Sequence, residues 1–166
     1  MLSIYPITTY TKNLDEIRRL YSRAFPRNER RPFKSLIADP RGRAEAVALY
    51  DGVQFCGFAC LRNGANISHI TYFAIEESLR DRGYGSMALR ALHEYKGDRR
   101  IIVDIERETE AAANNDQRRR RKQFYLRNGY QQTAIRYRWQ GEDYEILSCG
   151  GNITEEEFDA FWEGAM

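Results

Sequence analysis

A mixed α/β domain is the fold class this sequence predicts, on three observations. Amphipathic helical spacing recurs near both ends of the chain. Three strand-like runs lie between Ala44 and Ile75, separated by Asp51-Gly52 and Asn63-Gly64. Ile101-Ile102-Val103-Asp104-Ile105 is a short apolar run suited to burial on both faces of a sheet. The 166 residues, 42% hydrophobic and 13% aromatic, suffice for one sizeable core, and 1–166 reads as a single domain without an internal repeat or linker. Lys and Arg number 26 against 24 Asp and Glu, so the net charge of +2 argues against a protein whose whole surface binds nucleic acid or an anionic membrane. Cys56, Cys60 and Cys149 form neither CxxC pairs nor a metal-holding spacing with His, so free thiols and no metal are expected. Nothing near Met1 resembles a leader, and no window approaches about eighteen apolar residues, so a cytoplasmic protein without a membrane span is expected.

Each element follows from local chemistry. Asn13 with Glu16 predicts a capping box opening a helix whose Ile17, Leu20, Tyr21 and Ala24 share a face until Pro26 stops it. A shorter amphipathic piece runs from Pro32 through Phe33, Leu36 and Ile37 to Asp39-Pro40, leaving Arg27 to Arg31 as a polar segment between two helices. The runs from Ala44 to Ile75 then read as an antiparallel meander with tight turns. Arg80 to Ser86 is a glycine-punctuated turn into a helix that carries Met87, Ala91, Leu92 and Tyr95 and ends at Gly97. With the apolar run after it, this predicts a strand–helix–strand crossover. A helix over roughly Asp116 to Asn128, strands through Thr133 to Trp139 and Tyr144 to Cys149, and a last helix opened by Thr154 and Glu157 with Phe158, Phe161 and Trp162 inward complete the chain.

The chemistry-bearing motif is Arg80-Asp81-Arg82-Gly83-Tyr84-Gly85-Ser86. Small residues let the backbone approach a ligand, and first-turn amides at the positive end of a helix seat phosphate. A dinucleotide loop of the GxGxxA kind fits Gly83 to Ala88 as well, and so does a plain glycine turn; the antiparallel meander before it argues against the dinucleotide reading.

With Arg80, Gly83 and Gly85 after Tyr72-Phe73-Ala74-Ile75, and with Phe124-Tyr125-Leu126-Arg127-Asn128-Gly129-Tyr130 about forty residues on, the chain resembles the GNAT family of N-acetyltransferases over nearly its whole length. Asp81 departs from the pattern, since many members have Gly there. The resemblance implies a central mixed sheet of about seven strands with flanking helices, acetyl-CoA as donor, and a primary amine on a small molecule or peptide as acceptor. It also implies that the amides of Asp81, Arg82, Gly83, Tyr84, Gly85 and Ser86 hold pyrophosphate beside Arg80, and that the backbone of Phe73, Ala74 and Ile75 pairs with the pantetheine arm. By the same carry-over the Phe73 amide polarises the thioester carbonyl and Tyr125 assists the departing thiolate; Tyr125 as a core residue is the competing reading.

An amine like that of Lys needs about 4.6 kcal/mol to become neutral at pH 7, so a base is expected. His69 is the foremost candidate, on the strand face of Thr71 and Phe73; Glu29, Glu76 and Glu106 are competitors and candidate acceptor-binding residues. The run Arg118 to Lys122 reads mainly as a solvated helix face, with Arg119 or Lys122 available for a nucleotide phosphate. Two rival functions are a CoA-binding regulator without turnover and a nucleic-acid module using that run; no nucleic-acid or membrane partner is expected, and a monomer or homodimer is.

Overall fold

In the computed structural model, residues 1–37 and 39–165 are described. Among these residues seven strands form one mostly antiparallel sheet in the order β1-β2-β3-β4-β5-β7-β6, with five α-helices. The strands are β1 (Ser3–Pro6), β2 (Ala44–Asp51), β3 (Gln54–Asn63), β4 (Ile67–Ile75), β5 (Arg100–Glu106), β6 (Tyr130–Trp139) and β7 (Glu142–Cys149). The helices are α1 (Leu14–Ala24), α2 (Lys34–Ile37), α3 (Tyr84–Lys96), α4 (Asn115–Arg127) and α5 (Glu155–Ala165). None of the described helices is long and apolar enough to cross a membrane. The chain divides into two compact units, residues 1–63 with 70–97, and residues 64–69 with 98–166.

The first unit holds β1 to β3, the later part of β4, and α1 to α3. Helix α1 buries Ile17, Leu20 and Tyr21 at the expected spacing, against Phe58, Tyr72 and Ala74. Its predicted cap is absent. Asn13 sits at the N-cap without a side-chain cap bond, because its side chain is hydrogen-bonded to Tyr50 instead. Strand β1 was not expected from its sequence; it pairs antiparallel with β2, and Pro6 is tolerated because the strand lies at the sheet edge. The hairpin at Asp51-Gly52 forms one residue later than the dipeptide suggests. Asp51 pairs with Gln54, leaving Gly52, at φ 61°, and fully exposed Val53 as the loop.

The second unit holds the start of β4, β5 to β7, α4 and α5. Strand β4 pairs in parallel with β5 at Ile67, Ser68 and His69, and β5 and β6 each pair antiparallel with β7. Ile67, Ile102, Ile135, Ile146, Ile153 and Phe161 form its core, with Phe158 and Trp162 packed against it. The capping box opening α5 is present: the Glu157 amide donates to Thr154 Oγ1 at 3.2 Å, and the Thr154 amide to Glu157 Oε1 at 3.1 Å. Gly64 does not act as a positive-φ turn residue. A Cβ there would stand 2.7 Å from the Phe161 ring, so its glycine answers to close packing under α5.

Candidate functional site

The glycine-punctuated turn links β4 to α3. Asp81 and Gly83 both take left-handed backbone, at φ 61° and 83°, and Gly83 is the N-cap of α3. A glycine cap has no side-chain oxygen, and no side-chain cap bond is made at Gly83, while the first turn of α3 carries no acidic residue. Such a helix start suits phosphate. Arg80, Asp81, Arg82 and Gly83 are exposed, while Tyr84, Gly85 and Ser86 are half-buried. Asp81 is among the few side chains that accept such a φ, which is how the chain keeps this loop without the glycine usual in the resembled pattern.

On β4, Tyr72 and Ala74 point into the first unit's core, and Phe73 and Ile75 alternate to the other face, where they pack beside Leu79 and Ala88. Gly57 on β3 fits tightly beneath this segment: a Cβ there would lie 2.2 Å from the Ala74 carbonyl oxygen. This part of β4 thus rests on a neighbour with no side chain.

The segment from Arg27 to Arg31 is anchored by two tyrosines, Tyr21 and Tyr72, to which the sequence reading gave no such role. Tyr72 donates its hydroxyl to the Glu29 carbonyl at 2.5 Å and accepts from the Arg31 amide at 3.1 Å, while Tyr21 donates to the Arg31 carbonyl at 2.7 Å. The two rings meet edge to face at 5.0 Å. Glu29 itself is exposed, and Glu76 pairs with Arg23 at 3.4 Å.

In the second unit, Tyr125 is 8% exposed, edge-on to Phe124 and Tyr130. Burial pushes its hydroxyl up to about 12, with Arg121 pulling it down and the charge of Asp104 adding to the rise. His69 is 3% exposed, with its Nε2 2.9 Å from Asp104 Oδ1 and its ring 5.2 Å from that of Trp162. Burial alone would raise the Asp104 carboxyl, but the charge and hydrogen bond of His69 and the hydroxyl of Tyr137 outweigh it and hold it at about 2. Asp104 and Tyr137 went unassigned in the sequence reading. The available signal was a lone carboxylate inside an apolar strand.

The cationic run is corrected at its first residue. Arg118 is buried, donating to the Arg107 carbonyl and pairing with Glu106 at 2.6 Å and Glu142 at 3.2 Å. Lys122 pairs with Glu145 at 3.1 Å, and Arg119 with Glu108 and Asp116 at 3.4 and 3.5 Å. Glu106, read as a candidate acceptor contact, is therefore committed to Arg118.

A profile of the acetyltransferase (GNAT) domain matches residues 43–132. No curated protein matches the chain. Among solved structures, a protein from Bacteroides thetaiotaomicron assigned to the GNAT acetyltransferases superposes with a TM-score of 0.81 at 24% identity, over 98% of this chain and 94% of its own. The ribosomal-protein-S18-alanine N-acetyltransferase of Escherichia coli gives 0.64 at 17%, over 94% of this chain and 97% of its own. An aminoglycoside 6′-N-acetyltransferase complexed with coenzyme A gives 0.67 at 15%, over 88% and 95%.

Proposed function

Because the chain belongs to the GNAT acetyltransferase family, we propose that it moves an acetyl group from acetyl-CoA to a primary amine by direct attack in a ternary complex. The observation that carries this reading is the α3 N-terminus within the matched region, where a left-handed glycine cap without a side-chain cap bond opens a helix whose first turn carries no acidic residue. On this reading the amides of Asp81 to Ser86 receive the pyrophosphate beside Arg80 and Arg82. The backbone of Phe73 to Ile75 takes the pantetheine arm as an added strand, and the Phe73 amide donates to the thioester oxygen. We take 1–166 as one N-acetyltransferase domain.

The amine attacks the carbonyl carbon, the C–N bond forms, and the C–S bond breaks with its electron pair leaving on sulfur. His69 is proposed to take the amine proton. Tyr125 is proposed to serve the sulfur, and its acidity decides how. Moving a proton from a hydroxyl at about 12 to a thiolate whose acid lies near 8.5 is uphill by about 5 kcal/mol. Tyr125 therefore stabilises the thiolate as a hydrogen-bond donor without surrendering its proton. A cysteine acyl relay is disfavoured, since burial pushes the thiols of Cys56, Cys60 and Cys149 up, away from the nucleophilic thiolate. Acceptors on solved relatives include an aminoglycoside and a protein alanine, which supports an amine acceptor of either class.

The test joins binding to turnover. Acetyl-CoA raises Tm with concentration whereas NADH does not, and a panel of amines releases CoA. Gly85→Val weakens acetyl-CoA binding in a folded protein; normal binding by that variant refutes the phosphate-loop assignment. Binding without turnover on any amine would point to a CoA-dependent regulator.

A further inference from the structure

Of the stretch Gly83-Tyr84-Gly85, only Tyr84 carries a side chain by which the start of α3 can be gripped. Its ring packs against the cluster of Leu49, Leu79 and Ala88, which Phe73 and Ile75 of β4 also cover. Its hydroxyl donates to Asp51 Oδ2 at 2.8 Å, 33 residues earlier in the chain. Asp51 ends β2 and closes the hairpin by pairing with Gln54. The bond thus ties the first residue of α3 to a hairpin end within the same unit. The residues beside Tyr84 offer few other handles. Gly83 is left-handed and makes no side-chain cap bond, and a Cβ there would meet nothing within 4 Å. Two glycines flanking one residue leave the backbone many conformations in which the amides do not converge. On charge alone, the exposed carboxylate of Asp51 opposes an anion at the helix start; as the acceptor for Tyr84 it favours one. The two effects have opposite signs.

We propose that Asp51 is a positioning residue for acetyl-CoA. Its bond to the Tyr84 hydroxyl holds the first turn of α3 in the conformation whose amides meet the pyrophosphate, so that less ordering is left to occur on binding. Asp51 acts through Tyr84 and not by touching the cofactor. The inference rests on the reading of Asp81 to Ser86 as the phosphate seat.

The experiment measures the Kd of acetyl-CoA by calorimetry, well below Tm, and the Tm without ligand, for Asp51→Ala, Asp51→Asn, Tyr84→Phe and the double variant of Asp51→Ala with Tyr84→Phe. Asp51→Ala and Tyr84→Phe each break the bond and weaken acetyl-CoA about three- to tenfold, the range that one hydrogen bond supports. The double variant loses no more than either single, because both remove the same contact. Asp51→Asn keeps an acceptor oxygen and discards the charge, so it binds acetyl-CoA more tightly than Asp51→Ala does. Tyr84→Phe leaves the hairpin residue in place and covers the case in which Asp51→Ala does not fold. A bond that serves stability alone lowers Tm and leaves Kd where it was, which overturns the proposal. Tighter binding by Asp51→Ala, losses that add in the double variant, or an Asp51→Asn as weak as Asp51→Ala overturn it as well. Gly85→Val separates this inference from the reading beneath it: normal binding by that variant removes the phosphate seat and the inference together, whereas weakened binding by Gly85→Val beside wild-type affinity in Asp51→Ala and Tyr84→Phe removes Asp51 alone.

Discussion

Gly57→Ala tests whether the strand beneath the proposed pantetheine site depends on a missing side chain. Local propensity predicts a gain, since Gly within a strand is worse than Ala by roughly 0.5–1 kcal/mol. Packing predicts a loss. The added Cβ would stand 2.2 Å from the Ala74 carbonyl oxygen and 3.1 Å from both the Ile75 Cα and its Cδ1; the Cδ1 can yield, but the two backbone atoms can be relieved only by movement of β3 or β4. Overpacking costs about 1–3 kcal/mol, and a clash with backbone falls in the upper part of that range, about 2–3 kcal/mol, leaving a net destabilisation of about 1–2.5 kcal/mol after the propensity gain. For a chain of this length that lowers Tm by roughly 2–10 °C. Because the displaced atoms belong to Ala74 and Ile75, acetyl-CoA affinity measured by calorimetry should fall too, unlike for a core substitution remote from β4. An unchanged or raised Tm with unchanged affinity would refute the reasoning and return Gly57 to the status of a tolerated small residue.

Three further outcomes are expected. Tyr125→Phe keeps the ring packing and lowers kcat by roughly ten- to a thousandfold with little change in acetyl-CoA affinity; equal rates would make Tyr125 a core residue alone. Arg118→Ala leaves Glu106 and Glu142 without their shared guanidinium and costs about 2–3 kcal/mol, discounted because both carboxylates are partly exposed, whereas Arg119→Ala, removing a 58% exposed side chain, stays within about 0.5 kcal/mol in chemical denaturation. Asp104 is held at about 2 against an ordinary 3.8, so its stabilisation is complete above that ordinary value and lost as pH falls from about 4 toward 2; the Tm gap between wild type and Asp104→Asn should close across that window.

The elements with strong periodicity were legible: α1, the meander, α3 with its Gly97 end, β5, and the Thr154–Glu157 box all follow from spacing and cap chemistry. Strand β1 was not, because four residues ending in Pro6 carry too short a pattern and take their pairing from β2. Asn13 failed as a cap because a distant partner, Tyr50, competed for its side chain. Gly57 and Gly64 are glycines for what lies across from them, which no local rule can read. The residues proposed to seat phosphate were read from a motif, and the structure adds that two of them, Asp81 and Gly83, take left-handed backbone. The partners of His69 and Arg118 come from other strands and helices, so spacing along the chain could mark the lone carboxylate but could not join it to them.

The run from Arg118 to Lys122 gains a different meaning once its partners are known. A polyanion binds a basic stretch largely by setting free the small ions condensed around its own phosphates, and the gain fades as salt rises. Here three of the five cations, Arg118, Arg119 and Lys122, already hold carboxylates supplied by the chain itself. An incoming phosphate would have to evict covalently tethered counterions that never dilute away, so only Arg120 and Arg121, both exposed, are left to meet it on ordinary terms.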